Sequence, residues 1–341
     1  MQPILLEQYR LLFLRAFERG EILSTSGFQT SDPAILEWHE SLLKQKFLNS
    51  VILEDTQEIN FHDHLHIERI SPIKKEWIEI THTWDDLELS FQILCFQAGV
   101  QWNYKRPFCS FSAAIGEFNL RITLLHKTLS PKNQWKGFVR VIGKQGSAGF
   151  KIDECWQHWV QNKKNILIAG ATKSGKTTFI KNLLAHIPEH EHLVILEDTH
   201  EILTAHKKTT YFINQAGTED FAQEQLKQFC AHAMRISPDR LVLGEMRGPE
   251  VGPFLLLMNS GHRGLMSTIH ANTAVDALHR AALLFSLYQK GNSITYDQSL
   301  KLVAKNIDYV FFLEDLQVKE VIKINGHDQG QIFFESIIPI T

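Results

Sequence analysis

Residues 170–177 read Gly-Ala-Thr-Lys-Ser-Gly-Lys-Thr, a GxxxxGK[ST] string. Its two glycines let the backbone curl so that successive N–H groups point into one hollow, which suits phosphate oxygens. Lys176 is placed to reach the β and γ phosphates of a nucleotide, and the Thr177 hydroxyl to ligate Mg²⁺. Gly170, Thr172, Lys173, Ser174, Gly175 and Thr178 complete the candidate loop and the first helical turn behind it. The chemistry these residues fit is the binding of ATP with Mg²⁺.

Hydrolysis needs a carboxylate near the γ-phosphate. Leu241-Val242-Leu243-Gly244-Glu245 ends in one, although glycine stands where an aspartate is usual. Glu245 is therefore the candidate general base or water-positioning group. Glu197-Asp198-Thr199-His200-Glu201 follows another apolar run and could make good the missing aspartate. Glu197 and Asp198 are expected toward the metal, directly or through water, and Glu201 toward the reaction. Ser267-Thr268-Ile269-His270 ends a third run, and His270 could hydrogen-bond the γ-phosphate or the attacking water.

These groups need a scaffold that brings them together. Ile166–Ala169, Leu193–Leu196, Leu241–Leu243 and Leu265–Ile269 are short apolar runs of the kind buried parallel strands give. Phe179, Ile180, Leu183, Leu184 and Ile187 form one face of a helix behind the glycine loop. The second half of the chain is thus α/β with a parallel sheet. Upstream, Glu58–Phe61, His64–Glu68, Phe118–Leu124 and Gly137–Val141 read as strands, and Asp86 to Gly99 as a helix, which makes an α+β domain. Gly143–Phe150, with three glycines and a serine, reads as a linker. The boundaries are 1–142, 143–150 and 151–341. Leu5, Tyr9, Leu12 and Ala16, with Leu6, Phe13 and Phe17 beside them, predict a helix packed on its own domain.

The chain has 341 residues, enough for two domains at roughly 150 each. Its formal charge is −3, from 35 basic and 38 acidic residues, so it lacks the basic excess of a nucleic-acid binder. The four cysteines form no CxxC pair, which excludes zinc-site spacing and fits a reduced, cytoplasmic compartment. There is no apolar run long enough to span a membrane and no signal-peptide pattern at the start. His62-x-His64-x-His66 would share one strand face, but without a convergent partner it reads as solvated.

With these elements in order, the C-terminal half resembles the secretion ATPase superfamily. That group drives type II and type IV secretion, type IV pili and tight-adherence (Tad) pili. The residues that carry the resemblance are Gly170–Thr177 (Walker A), Ile195–Glu201 (the Asp box), Leu243–Gly248 (a Gly-Glu Walker B) and Gly261–Asn272 (the His box). More weakly, Thr56–Ile59 looks like the opening of the family's N-terminal domain. Arg121 and Arg140 match arginines that in such ATPases reach the nucleotide. The resemblance implies a C-terminal RecA-like P-loop ATPase domain with a parallel-rich sheet, preceded by a smaller α+β N-terminal domain. It also implies a homo-oligomeric ring, expected as a hexamer, that hydrolyses ATP to drive pilus assembly or protein secretion. Its partner would be an inner-membrane platform protein, with the motor peripheral at the cytoplasmic face and no nucleic acid involved. The tail Val318–Val321 and Gly326–Ile332 looks closest to the Tad branch. A type IV secretion ATPase is the alternative within the superfamily, and a hexameric nucleic-acid translocase is the alternative outside it.

Overall fold

The computed structural model describes Phe13 and residues 32–63, 66–79, 83–142, 149–214, 219–288, 294–328 and 330–338. The predicted N-terminal helix, apart from Phe13, and most of the predicted linker lie outside these residues, as does His64. The chain divides into two compact units, residues 1–144 and 145–341.

The first unit begins with helices α1 (Pro33–Leu43) and α2 (Lys46–Val51). Strands β1 (Glu58–Asp63), β2 (His66–Ile70) and β3 (Lys75–Ile78) follow, then helix α3 (Trp84–Gln97). Strands β4 (Phe108–Ile115), β5 (Phe118–Leu125) and β6 (Lys136–Ile142) complete it. The sheet runs β3-β2-β1-β6-β5-β4, and every pairing in it is antiparallel. Thr83 caps α3 by accepting from the Asp86 N–H, and Asp85 and Asp86 put negative charge in its first turn. Leu87, Phe91, Ile93 and Leu94 of α3 are buried. The buried Trp38 indole donates to the Asp86 carboxylate at 2.8 Å, tying α1 to α3. Strand β4 was not anticipated. Its run Phe-Cys-Ser-Phe-Ser-Ala-Ala-Ile alternates in burial, but small residues hide the alternation in hydrophobicity.

The second unit opens with α4 (Glu154–Gln161), β7 (Ile166–Gly170), α5 (Lys176–Leu184), β8 (Leu193–Glu197) and β9 (Thr209–Ile213). Next come α6 (Glu219–Ala233), β10 (Arg240–Leu243), α7 (Val251–Asn259), β11 (Met266–Ile269) and α8 (Ala274–Tyr288). It ends with α9 (Tyr296–Asn306), β12 (Tyr309–Glu314), β13 (Gln317–Asp328) and β14 (Gln331–Ile338). The sheet order is β14-β13-β12-β7-β11-β10-β8-β9. From β12 to β9 every neighbouring pair is parallel, and β13 and β14 extend the sheet antiparallel. The four apolar runs are four of the parallel strands, and all residues of β7, β8, β10 and β11 are buried. The helix face of Phe179, Ile180, Leu183, Leu184 and Ile187 is likewise buried.

Beneath this sheet, Arg240 at the start of β10 has a fully buried side chain. Its Nε donates to Glu191 Oε2 at 2.5 Å and its Nη1 to the Val160 carbonyl at 2.6 Å. Lys163 adds a contact to Glu191 Oε1 at 3.1 Å. Burial pushes the Glu191 carboxyl up, but the bonds from Arg240 and Lys163 outweigh it and hold the group below its ordinary value. A depressed folded-state value means stability that is full above the unfolded carboxylate range and is lost as pH falls through the folded value. Glu191→Gln strands a buried guanidinium and should cost on the order of 3 kcal/mol at neutral pH. Thermal melting of both proteins from neutral to acid pH checks this: the gap should narrow as the wild type loses the pair on acidification. A gap that stays constant with pH would exclude the ion pair as its source.

Candidate nucleotide site

Strand β7 runs directly into the glycine loop, and the loop into α5. Gly170 (φ 151°) and Gly175 (φ 95°) have backbone angles open to glycine, and Lys173 (φ 65°) takes the left-handed region between them. A Cβ on Gly170 would lie 2.3 Å from the Leu313 carbonyl oxygen and 2.5 Å from Ser174 Oγ. One on Gly175 would lie 2.9 Å from the Phe150 ring and 3.0 Å from Leu316 Cδ2. The loop is therefore held between Phe150 and the β12–β13 turn, with no space for side chains at its glycines. Thr172 and Lys173 are exposed, Ser174 is buried, and Thr177 and Thr178 stand half-buried in the first turn of α5. The helix N-terminus adds partial positive charge there.

The lysine that follows is buried. Lys176 Nζ donates to the carbonyls of Gly170 at 2.8 Å and Ala171 at 2.6 Å. It also lies 3.3 Å from His270 Nδ1. On the other side of the ring, His270 Nε2 is 3.1 Å from Glu245 Oε1. An ammonium can only donate, so the arrangement suits a neutral imidazole that accepts at Nδ1 and donates from Nε2 to the carboxylate. Burial lowers the His270 pKa. Lys176 and Arg247 lower it further, while Glu245 and the Gly170 carbonyl act the other way. The second oxygen of Glu245 accepts from Arg247 Nη2 at 2.5 Å, and Arg247 Nη1 lies 3.5 Å from Asp198 Oδ2. One continuous chain of contacts thus links Lys176, His270, Glu245, Arg247 and Asp198.

The three carboxylates after β8 differ in their surroundings. Glu197 is turned inward, with only 3% of its side chain exposed. Its Oε1 accepts from the N–H groups of Glu201 and Ile202, and its Oε2 lies 3.2 Å from His200 Nδ1. The expectation that Glu197 faces a metal does not fit this geometry, because both oxygens are used to shape its own loop. Asp198 accepts from Asn214 Nδ2 at 2.9 Å and faces Arg247 on its other oxygen. Glu201, with Glu197, lies near Lys181 of α5 and opposes the lowering of that lysine's pKa by burial. Gly244 donates its N–H to the Leu196 carbonyl at 2.8 Å, which fixes it beside the end of β8. A Cβ there would meet Glu197 Cγ at 3.3 Å and the Leu196 carbonyl oxygen at 3.4 Å. Glu197 therefore occupies the space into which an aspartate at position 244 would grow.

In the first unit, Arg121 of β5 and Arg140 of β6 are directly opposed across the sheet. Glu58 pairs with Arg140 on one side and Ser112 with Arg121 on the other. Leu120, Ile122 and Val139 point into the core, so both arginines project from the opposite face.

The residues of the glycine loop fit a nucleotide triphosphate. Its glycines leave backbone N–H groups uncovered by side chains, and an ammonium is held among carbonyls at its centre. The buried Ser174 hydroxyl has no hydrogen-bond partner among the described residues. A family model described as type II/IV secretion system protein matches residues 138–305. That match takes in just under half of the chain and includes the glycine loop, the ends of β8 and β10, and His270.

Among its relatives, the type IV secretion system protein VirB11 of Bartonella henselae is 34% identical over 160 residues. That alignment takes in 47% of this chain and 45% of the relative. The type IV secretion system protein PtlH of Bordetella pertussis is 36% identical over 159 residues, 46% of each chain. The match to these curated relatives thus spans less than half of their length. The crystal structure of the pilus retraction motor PilT with bound ADP superposes with a TM-score of 0.58 at 17% identity. It covers 88% of this chain and 82% of that one, and at such identity the likeness is one of fold.

Arg247 lies inside the Leu243–Gly248 motif, but the motif alone gives it no role, and the sequence gives neither Phe150 nor Leu316 a place at the loop. A glutamate and an arginine two residues apart at a strand end was the pattern that could have drawn attention to Arg247. Gly244→Asp should not restore an ordinary Walker B site. Forcing a carboxylate against Glu197 should cost about 1–3 kcal/mol by overpacking. The smaller Gly244→Ala should cost less, and thermal melting of the three proteins measures both. An aspartate variant as stable as the wild type would show that Glu197 does not fill that space.

Proposed function

We propose that the chain is the ATP-hydrolysing motor of a type IV secretion system. The observation that carries this reading is the contact chain from Lys176 through His270 to Glu245, which joins a phosphate-binding lysine to a carboxylate able to accept a proton. The type IV branch is preferred to the Tad branch because the relatives reported above bear type IV secretion names. A homo-oligomeric ring, with a hexamer as its expected form, belongs to the same reading. So does peripheral attachment to an inner-membrane platform protein at the cytoplasmic face. No helix among the described residues is long and apolar enough to cross a membrane. The domain limits that go with this reading are 1–142 and 151–341, joined by 143–150.

Bound ATP with Mg²⁺ would supply the phosphoryl group to be transferred to water and the metal's charge. Lys176 exchanges its two carbonyl partners for phosphate oxygens, and the loop N–H groups and Ser174 add hydrogen bonds. Thr177 would hold the metal, with Asp198 acting through water. Neutral His270 donates to Glu245 and orients it, and Glu245 takes the proton of the attacking water. Arg121 and Arg140 bring positive charge to the phosphates, a task suited to a group that stays charged and forks onto oxyanions.

Lys176→Ala should lose ATP binding, read by titration with a fluorescent ATP analogue. Glu245→Gln should still bind it while hydrolysis falls by about a hundredfold or more. Arg140→Ala should lower turnover with little change in affinity. Turnover of Lys176→Ala within a few-fold of wild type would remove this loop as the active site. Loss of affinity in Glu245→Gln, with the rate per bound ATP unchanged, would make Glu245 a binding residue.

A further inference from the structure

Both oxygens of Glu245 are already engaged. Oε1 accepts from His270, and Oε2 accepts from Arg247 at 2.5 Å. A general base must present a lone pair to water, and the guanidinium covers one side of this carboxylate. The backbone beneath Arg247 is pinned. Its N–H and that of Gly248 donate to Glu250 Oε1 at 2.6 and 2.7 Å, and Glu250 is fully buried. The side chain above is 46% exposed, so it is an arm on a fixed post. Its second acceptor is already at hand, since Asp198 Oδ2 lies 3.5 Å from Nη1. Moving from Glu245 to Asp198 leaves the cation paired, and two carboxylates sharing one guanidinium make an element with two arrangements.

We propose that Arg247 is a positioning residue that withholds Glu245 from water while it pairs with it, and releases the base by shifting onto Asp198. The proposal rests on the reading of Glu245 as the base. It makes hydrolysis conditional on a side-chain shift outside the phosphate loop, so that nucleotide binding and turnover can be controlled separately.

The test uses the full chain. Arg247→Ala should raise kcat by about threefold or more, the scale of losing a half-exposed ion pair. Its KM for ATP should move by less than about twofold, because Arg247 holds the base and not the nucleotide. Arg247→Lys, which keeps the charge, should return toward wild type. Arg247→Gln replaces the alanine variant if melting shows that alanine disturbs the fold.

A second readout needs no turnover. The groups facing His270 are Glu245, Lys176, Arg247 and the Gly170 carbonyl, and Arg247 is one of those that lower its titration. Ring NMR of the nucleotide-free protein, with His270 assigned by its loss in His270→Ala, should show its titration moving upward in Arg247→Ala. A kcat lowered in both the alanine and glutamine variants overturns the proposal, and so does a His270 titration that does not move. Glu245→Gln measured alongside keeps the two readings apart. If that variant turns over like wild type, the base assignment fails whatever Arg247 does.

Discussion

Four parallel strands lying side by side in the order β7-β11-β10-β8 are the constraint on which the site depends. In a parallel sheet all C-terminal ends emerge at one edge, and neighbouring strands are about 4.8 Å apart. The contact chain repeats that order residue by residue. Lys176 follows β7, His270 follows β11, Glu245 and Arg247 follow β10, and Asp198 follows β8. Apart from the Glu245–Arg247 pair, which share the end of β10, each contact bridges one strand spacing, so the site is a row of side chains laid across the sheet. Removing one strand from the row, or reversing it, would break the chain at that link. The buried pair of Arg240 and Glu191 acts at the other end of β10, where it fixes the start of the strand whose end carries the base.

The same edge explains why glycine is tolerated, and favoured, where an aspartate is usual. Positions 244 and 197 end adjacent strands and compete for one volume. Glu197 fills it with a longer side chain whose carboxylate turns back to hold Glu201 and Ile202. The loop thus gains two hydrogen bonds from a buried acceptor, and the Asp198 side chain that follows remains part-exposed beside Arg247. The carboxylate lost at 244 is replaced from the next strand, with its partners changed from metal to backbone.

Much of this was legible in the sequence because it rests on patterns that strands and helices impose. The glycine loop, its flanking strand and the apolar face of α5 follow from residue type and period, as does the α/β class. Strand β9 did not, since all five of its residues are half-buried and no alternation marks them. The division of labour among Glu197, Asp198 and Glu201 was equally hidden. Their order in the chain is plain, but which of them turns inward depends on how the chain leaves β8. Arg247 was overlooked because its role exists only through partners 2 and 49 residues away, Glu245 and Asp198.

The two arginines of the first unit pose a converse problem, since they cost something in isolation. Like charges directly opposite on adjacent strands repel, and here Arg121 faces Arg140 in register. Glu58 lies beside Arg140 in the same row and offsets part of that repulsion. A multiply charged anion relieves it more fully, because both guanidiniums can fork onto its oxygens at once. Under the proposed function, the first unit would gain most from a triphosphate and least from the solvated surface.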